Sequence, residues 1–314
     1  MTDTASHQAG AYIGRFAPSP TGPLHFGSLL AAVASYLQAR TNNGRWLVRI
    51  EDIDPPREQA GSDKLIIDAL HAYGFQWDGP VTYQSASTKK HLSYVEDLLH
   101  RKLAYPCQCS RRTLSSAMKG ALGRVYPGTC RTGCDGTEVS IRIITDDQPV
   151  EFHDRLQGSI SQRLESESGD FIIRRRDGLI AYHLAVVVDD HLQSISEIVR
   201  GIDLIDSTPR QIHLQRQLGL PTPDYLHIPV AINSTGQKLS KLTGAEAIPV
   251  TNPRPVLVAA LAALQQETQA DLQLASLDEI WAWAVAHWKL DPMARLATVA
   301  DTQDSLASGE NGLR

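Results

Sequence analysis

The sequence predicts an α/β fold on a parallel sheet, interrupted by an inserted α+β subdomain and closed by a short helical region. Three observations predict it. Strand-like and helix-like segments alternate from about residue 10 to 80, as in βαβ units. The pattern then breaks between about 81 and 180, where all four cysteines fall, and resumes over 181–245. Segments within 246–300 are helical at amphipathic spacing. A chain of 314 residues suffices for one large or two modest domains. The expected organisation is 10–80 and 181–245 as two halves of one α/β domain, 81–180 as the insertion and 246–300 as the helical region, with polar arms 1–9 and 301–314 disordered.

In chain order, "AYIGRFAP" from Ala11 reads as a short buried strand and "GSLLAAVASYLQAR" from Gly27 as an amphipathic helix. "RWLVRIEDID" from Arg45 is a second strand, and "SDKLIIDALHAYGF" from Ser62 a helix opened by a Ser/Asp cap. "STKKHLSYVEDLLHRK" from Ser87 is helical, and "VSIRII" and "DFIIRR" are strand-like. "LIAYHLAVVVDDHLQSISEIVRG" from Leu179 has buried-strand character, "STPRQIHLQRQLG" from Ser207 is a helix with a Ser or Thr N-cap, and "YLHIPV" from Tyr225 is a strand. "NPRPVLVAALAALQQE" and "LDEIWAWAVAHWKL" are the closing helices, and there is no internal repeat.

A formal charge of −5 carries no nucleic-acid signature, so any RNA contact must use a local basic surface. "IIRRRDG", with Arg174, Arg175 and Arg176, is a candidate. No apolar run reaches the roughly 18 residues that span a bilayer, and the polar start lacks a secretory layout, so a cytoplasmic protein with no membrane partner is expected. Cys107, Cys109, Cys130 and Cys134 lie within 28 residues, which favours a metal site over disulfides. "CQC" can hold one ion from a tight turn, and "YPGTCRTGC" can close a tetrahedral zinc site by Tyr126 with Cys130 or by Cys130 with Cys134. Sulfur softness favours the second completion. Four protein ligands leave no open position, so the ion would be structural.

"FAPSPTGPLHFGS", Phe16 to Ser28, ends a strand and opens a helix, a layout that aims backbone N–H groups and the positive helix end at a phosphate beside His25. More than two hundred residues later, "QKLSKL" carries Lys238 and Lys241, whose ammonium groups suit a triphosphate attacked at its α-phosphorus.

Together "HFGS" and "KLSKL" resemble the two signatures of the class I aminoacyl-tRNA synthetases. "RFAPSPTGPLHFGS", "RIEDIDPPRE", "AYHLAVVVDD" and "RGIDLIDSTPRQIHL" narrow the resemblance to the glutamyl branch. It implies a Rossmann-type catalytic domain. ATP would lie over His25, Gly27 and Ser28, with Lys238, Ser240 and Lys241 closing on its phosphates and Mg2+ accompanying it. Glutamate would lie against Arg15, Phe16, Ala17, Pro18 and Ser19, with Glu51 facing its ammonium and Tyr182 and Arg200 completing the pocket. An arginine can hold a γ-carboxylate bidentately and so reject neutral glutamine. Leu242 stands where many relatives carry a polar residue. "CQC…VYPGTCR" resembles the short glutamyl-synthetase-like proteins, in which Tyr126 would be the fourth zinc ligand beside Cys107, Cys109 and Cys130.

About 70 residues follow "KLSKL", too few for the large helical domain that reads the anticodon in a full glutamyl-tRNA synthetase. This layout resembles the short, tRNA-modifying members of the branch. The implied reaction is tRNA-independent formation of glutamyl-adenylate from L-glutamate and ATP, followed by transfer to a hydroxyl of queuosine at the wobble position of tRNA(Asp), by a monomer. The alternatives are a short enzyme charging the 3′ end of tRNA(Glu) and a non-catalytic zinc- and RNA-binding paralogue.

Overall fold

The computed structural model describes residues 11–110, 112–115, 117–120, 122–233, 235–239 and 245–301. A parallel βαβαβ run opens the fold: β1 (Ile13–Phe16), α1 (Phe26–Thr41), β2 (Arg45–Ile50), α2 (Ser62–Ala72) and β3 (Thr82–Tyr83). The middle of the chain holds α3 (Thr88–His100), β4 (Ala104–Cys107), the ribbon β5 (Lys119–Gly120) and β6 (Gly123–Arg124), β7 (Ser140–Ile143), the hairpin β8 (Pro149–Asp154) and β9 (Gly158–Arg163), the one-turn α4 (Leu164–Glu167) and β10 (Ile172–Arg174). Then come α5 (Tyr182–Leu192), β11 (Glu197–Gly201), α6 (Thr208–Leu218), β12 (Asp224–Ile228), β13 (Val230–Ile232), α7 (Pro253–Ala263), α8 (Leu277–His287) and β14 (Thr298–Ala300).

β2 lies between β1 and β3, and β11 runs parallel to β12. The Ser196 amide donates to Ile13 O at 2.9 Å, which sets β11 beside β1. The parallel strands therefore read β3-β2-β1-β11-β12, and the chain's direction of travel across the sheet reverses between β1 and β11. In open α/β sheets that reversal opens a crevice at the carboxyl ends of the strands, where ligands bind. β8 extends the sheet beyond β12, while β10, β7 and β4 form a separate antiparallel sheet that carries the cysteine segment.

Several local expectations give way to tertiary packing. "LAVVVDD" lies in helix α5, not in a strand: Leu184 to Asp190 are all buried, between α3, α6 and β10. A helix apolar on every side loses the 3.6-residue signal, and its burial outweighs the β-preference of Val186–Val188. α1 is likewise buried around most of its circumference, against both strands beside it and against α7 and α8. The Ser/Asp cap of α2 is absent: Gly61, at φ +78°, takes the N-cap and Ser62 is the first helical residue. Ser207 is the N-cap of α6 without a side-chain cap bond, because the neighbouring Thr208 hydroxyl is committed to Arg200. β14, which pairs with β13, went unread. The expected arm 1–9 and, but for Asp301, the expected arm 301–314 lie outside the described residues, as do Ser240, Lys241 and Leu242.

Candidate active site

β1 delivers Phe16 to a stiff turn, and the turn ends at His25, the N-cap of α1. Its Nδ1 accepts from the Ser28 amide at 3.3 Å, and its Nε2 lies 3.1 Å from Ser28 Oγ. The ring lies over Gly27, where an added Cβ would sit 3.2 Å from ring atoms, so only glycine fits without displacing the imidazole. Leu239 of the other signature lies beside this turn, its backbone oxygen 3.5 Å from where a Cβ on Gly27 would sit, and the segment beyond it pairs with the turn. Ala247 bridges His25, the Ile248 amide donates to Leu24 O at 3.0 Å, and Lys238 bridges Ile232. Lys238 Nζ lies 2.6 Å from Asp203 Oδ2.

Between the two signatures, at the β1/β11 reversal, opens a cleft of about 880 Å³. Arg15, Phe16, Ala17, Pro18, Ser19, His25, Gly27, Ser28, Glu51, Tyr182, Arg200 and Lys238 all line it. Four buried charges stand under its floor. Asp190 Oδ1 accepts from Arg15 Nε at 3.1 Å and from Arg49 Nη2 at 2.8 Å, and Arg49 Nη2 also reaches Glu51 Oε1 at 3.2 Å. Two cations and two anions balance, the condition under which such burial is tolerable. Asp190 takes the Nε/Nη2 edge of Arg15, leaving Nη1 with a 3.5 Å contact to Val199 O and the cleft in front of it.

The two carboxyls respond oppositely. Burial raises Glu51 above its ordinary value, and Asp190 adds to this against the pull of Arg49 and Arg15. Burial would raise Asp190 too, but Arg15 and Arg49 overcome it and hold its carboxyl low.

Arg200 is oriented by a buried chain. Its Nε donates to His227 Nε2 at 3.0 Å, its Nη2 to Thr208 Oγ1 at 2.8 Å, and its Nη1 reaches Tyr182 Oη at 3.5 Å. His227 Nδ1 lies 2.7 Å from Asp154 Oδ2. Burial lowers the His227 pKa, so the neutral ring donates from Nδ1 and accepts at Nε2. Asp190, Arg49, Asp154, His227 and Asp203 escaped the sequence reading. Arg49, Asp190 and Asp203 stood inside the recognisable segments "RIEDIDPPRE", "AYHLAVVVDD" and "RGIDLIDSTPRQIHL".

At the end of β4, the sulfurs of Cys107, Cys109 and Cys130 lie within 4.8 Å of one another. Tyr126 Oη is 3.3 Å from Cys107 Sγ and 3.8 Å from Cys109 Sγ, and it accepts from the Cys130 amide at 3.0 Å. Cys134 Sγ turns aside and donates to Pro106 O at 3.3 Å. Tetrahedral zinc–thiolate bonds of about 2.3 Å require sulfurs about 3.8 Å apart, and Cys109 and Cys130 stand at 3.6 Å. The cluster therefore fits a metal. Burial opposes ionisation of Cys130, but the Gln108 backbone and the Tyr126 hydroxyl bring it down to about 7. Arg131 grips buried Asp170 with two bonds of 2.6 and 2.7 Å and so anchors the segment. Of the three consecutive arginines, Arg175 pairs with Asp54 at 2.9 Å beside the cleft, and Arg176 donates to Gln108 O at 2.6 Å in the cysteine segment.

Comparison with known proteins agrees with this geometry. Residues 13–249 match the family model for tRNA synthetases class I (E and Q), catalytic domain. The Glutamyl-Q tRNA(Asp) synthetase of Pseudomonas aeruginosa strain PAO1 is 49% identical over 292 residues, 93% of this chain and 98% of that protein. The protein of that name from Serratia proteamaculans is 50% identical over 307 residues, 96% and 98% of the two chains. A solved glutamate tRNA ligase from Elizabethkingia meningosepticum superposes with a TM-score of 0.78 at 23% identity, covering 94% of this chain and 68% of that one. With His25 and Lys238 lining one cleft at the sheet reversal and these relatives matched along nearly their whole length, the chain belongs to the glutamyl and glutaminyl class I tRNA synthetase family.

Proposed function

We propose that this chain activates L-glutamate with ATP, without tRNA, and transfers the glutamyl group to queuosine at the wobble position of tRNA(Asp). The observation that carries this reading is one of likeness. The chain is 49% and 50% identical to two relatives named Glutamyl-Q tRNA(Asp) synthetase along 98% of their length. The cleft supports the chemistry. Glu51, buried and held back from ionising by that burial despite Arg49, receives the substrate ammonium. Arg15, braced by Asp190, presents Nη1 to the γ-carboxylate beside Phe16, Ala17, Pro18 and Ser19, and Tyr182 and Arg200 hold the α-carboxylate side.

ATP lies over the start of α1, its phosphates meeting the Gly27 and Ser28 amides and His25. Lys238 reaches the triphosphate by exchanging Asp203 for a phosphate, and Ser240 and Lys241 join it from outside the described residues. A glutamate α-carboxylate oxygen attacks the α-phosphorus and the bond to pyrophosphate breaks. The queuosine hydroxyl then attacks the carbonyl, losing its proton as AMP leaves. Mg2+ enters with ATP as part of the substrate. Positioning and charge stabilisation suffice, because the attacking carboxylate needs no deprotonation.

We also assign one structural zinc ion to Cys107, Cys109, Cys130 and Tyr126, which would supply folding energy to the segment and no chemistry. The deciding experiment incubates the protein with ATP, labelled glutamate and tRNA with or without queuosine. Queuosine-dependent label in the anticodon loop is expected, and label on the terminal adenosine of tRNA(Glu) would overturn the reading.

A further inference from the structure

Beside the main cleft lies a smaller chamber of about 160 Å³. The two share Ser19, Glu51, Arg57 and Tyr182, so a group in the chamber is one residue away from anything held in the cleft. Gln84 and Ala181 line its wall, and Arg175 stands on its exposed side, pinned by Asp54. At about 30 Å³ per water the chamber has room for roughly five waters, a volume that suits one substituted five-membered ring and not a base with its ribose.

Gln84 supplies an independent sign of a ligand. It is only 1% exposed. Its Nε2 donates to Asp189 Oδ2 at 2.8 Å, and the other oxygen of Asp189 is held by His91 Nε2 at 2.8 Å. A carboxylate accepts and does not donate, so this contact fixes which way the amide faces. Gln84 Oε1 is left without a partner among the described residues. A buried acceptor with no donor is destabilising, so one kept in a chamber wall points to a donor that comes from outside the chain.

We propose that this chamber seats the hydroxylated ring of the acceptor nucleoside. One ring hydroxyl donates to Gln84 Oε1, which turns its neighbour past Glu51 and Tyr182 toward the activated carbonyl. Arg175 meets the phosphate next to that nucleotide. This inference rests on the glutamyl-transfer reading above, and it names where the acceptor goes.

Two variants test it, each assayed for glutamate-dependent ATP–pyrophosphate exchange and for transfer to queuosine-containing tRNA(Asp). Gln84→Met keeps the volume and removes the acceptor, and Ala181→Leu fills the chamber without touching the main cleft. In both, exchange persists while transfer falls by roughly tenfold or more, the value of one hydrogen bond. Should Gln84→Met fail to fold, Ala181→Leu decides alone. If the wild-type protein transfers glutamate and the variants match it, the chamber assignment is overturned while the transfer reading stands. Equal loss of exchange and transfer overturns it as well, since the damage then lies in the shared cleft. If the wild-type protein labels no tRNA, the transfer reading fails and the assignment fails with it.

Discussion

Glu51 is a carboxylate that burial makes reluctant to ionise, although its proposed task is to be negative beside an ammonium. Binding a cation favours the ionised form, so glutamate binding should release a proton when the free carboxyl is protonated. The sign follows: affinity for glutamate is full above the raised pKa of Glu51 and is lost as pH falls through it. Isothermal titration across pH should show this, and Glu51→Gln should bind weakly with little pH dependence. A flat wild-type profile would remove Glu51 from the ammonium site. The residues that line the cleft were legible because they sit in short ordered motifs. Their buried supports were not: Arg15 and Asp190 are 175 positions apart, as are no motif's members, and nothing local in "YLHIPV" marks His227 as the brace of Arg200.

Among elements, the cysteine segment shows what spacing can and cannot decide. Spacing allowed two completions of a four-ligand site, and softness favoured sulfur. Backbone geometry sends Tyr126 into the cluster and Cys134 out to Pro106. Metal analysis of purified variants should therefore find about one zinc per chain in wild type and in Cys134→Ala, and loss of zinc in Cys130→Ala and Tyr126→Phe. Zinc released only by the Cys134 change would reverse the assignment. α5 teaches the opposite lesson. Its sequence is so uniformly apolar that period cannot separate helix from strand, and only its neighbours α3 and α6 explain the outcome.

At the scale of the whole molecule, the closing helices are fastened to the first half of the chain. Trp281 of α8 meets Tyr36 at 4.7 Å and Phe75 at 4.9 Å, and its Nε1 donates to Tyr73 O at 2.9 Å. Trp288 reaches Gln38 at 3.0 Å on the same helix α1 that carries His25 at its N-cap. Trp281→Ala should cost about 3–5 kcal/mol, read as a lower urea midpoint, and an unchanged midpoint would contradict this packing. The α/β class was legible from the alternation of its first elements. This fastening was not, because it depends on which faces meet across more than two hundred residues.

The bridge between His25 and Ala247 has a consequence for how the protein is made. Most of that loop is already closed where β11 lies beside β1, so the bridge asks only a short further closure of the chain. A growing polypeptide that has reached only α6 holds Tyr182 and Arg200 of the cleft lining but not Lys238. Under the proposed function, the cationic side of the ATP site is thus completed after the glutamate side, as the chain is made.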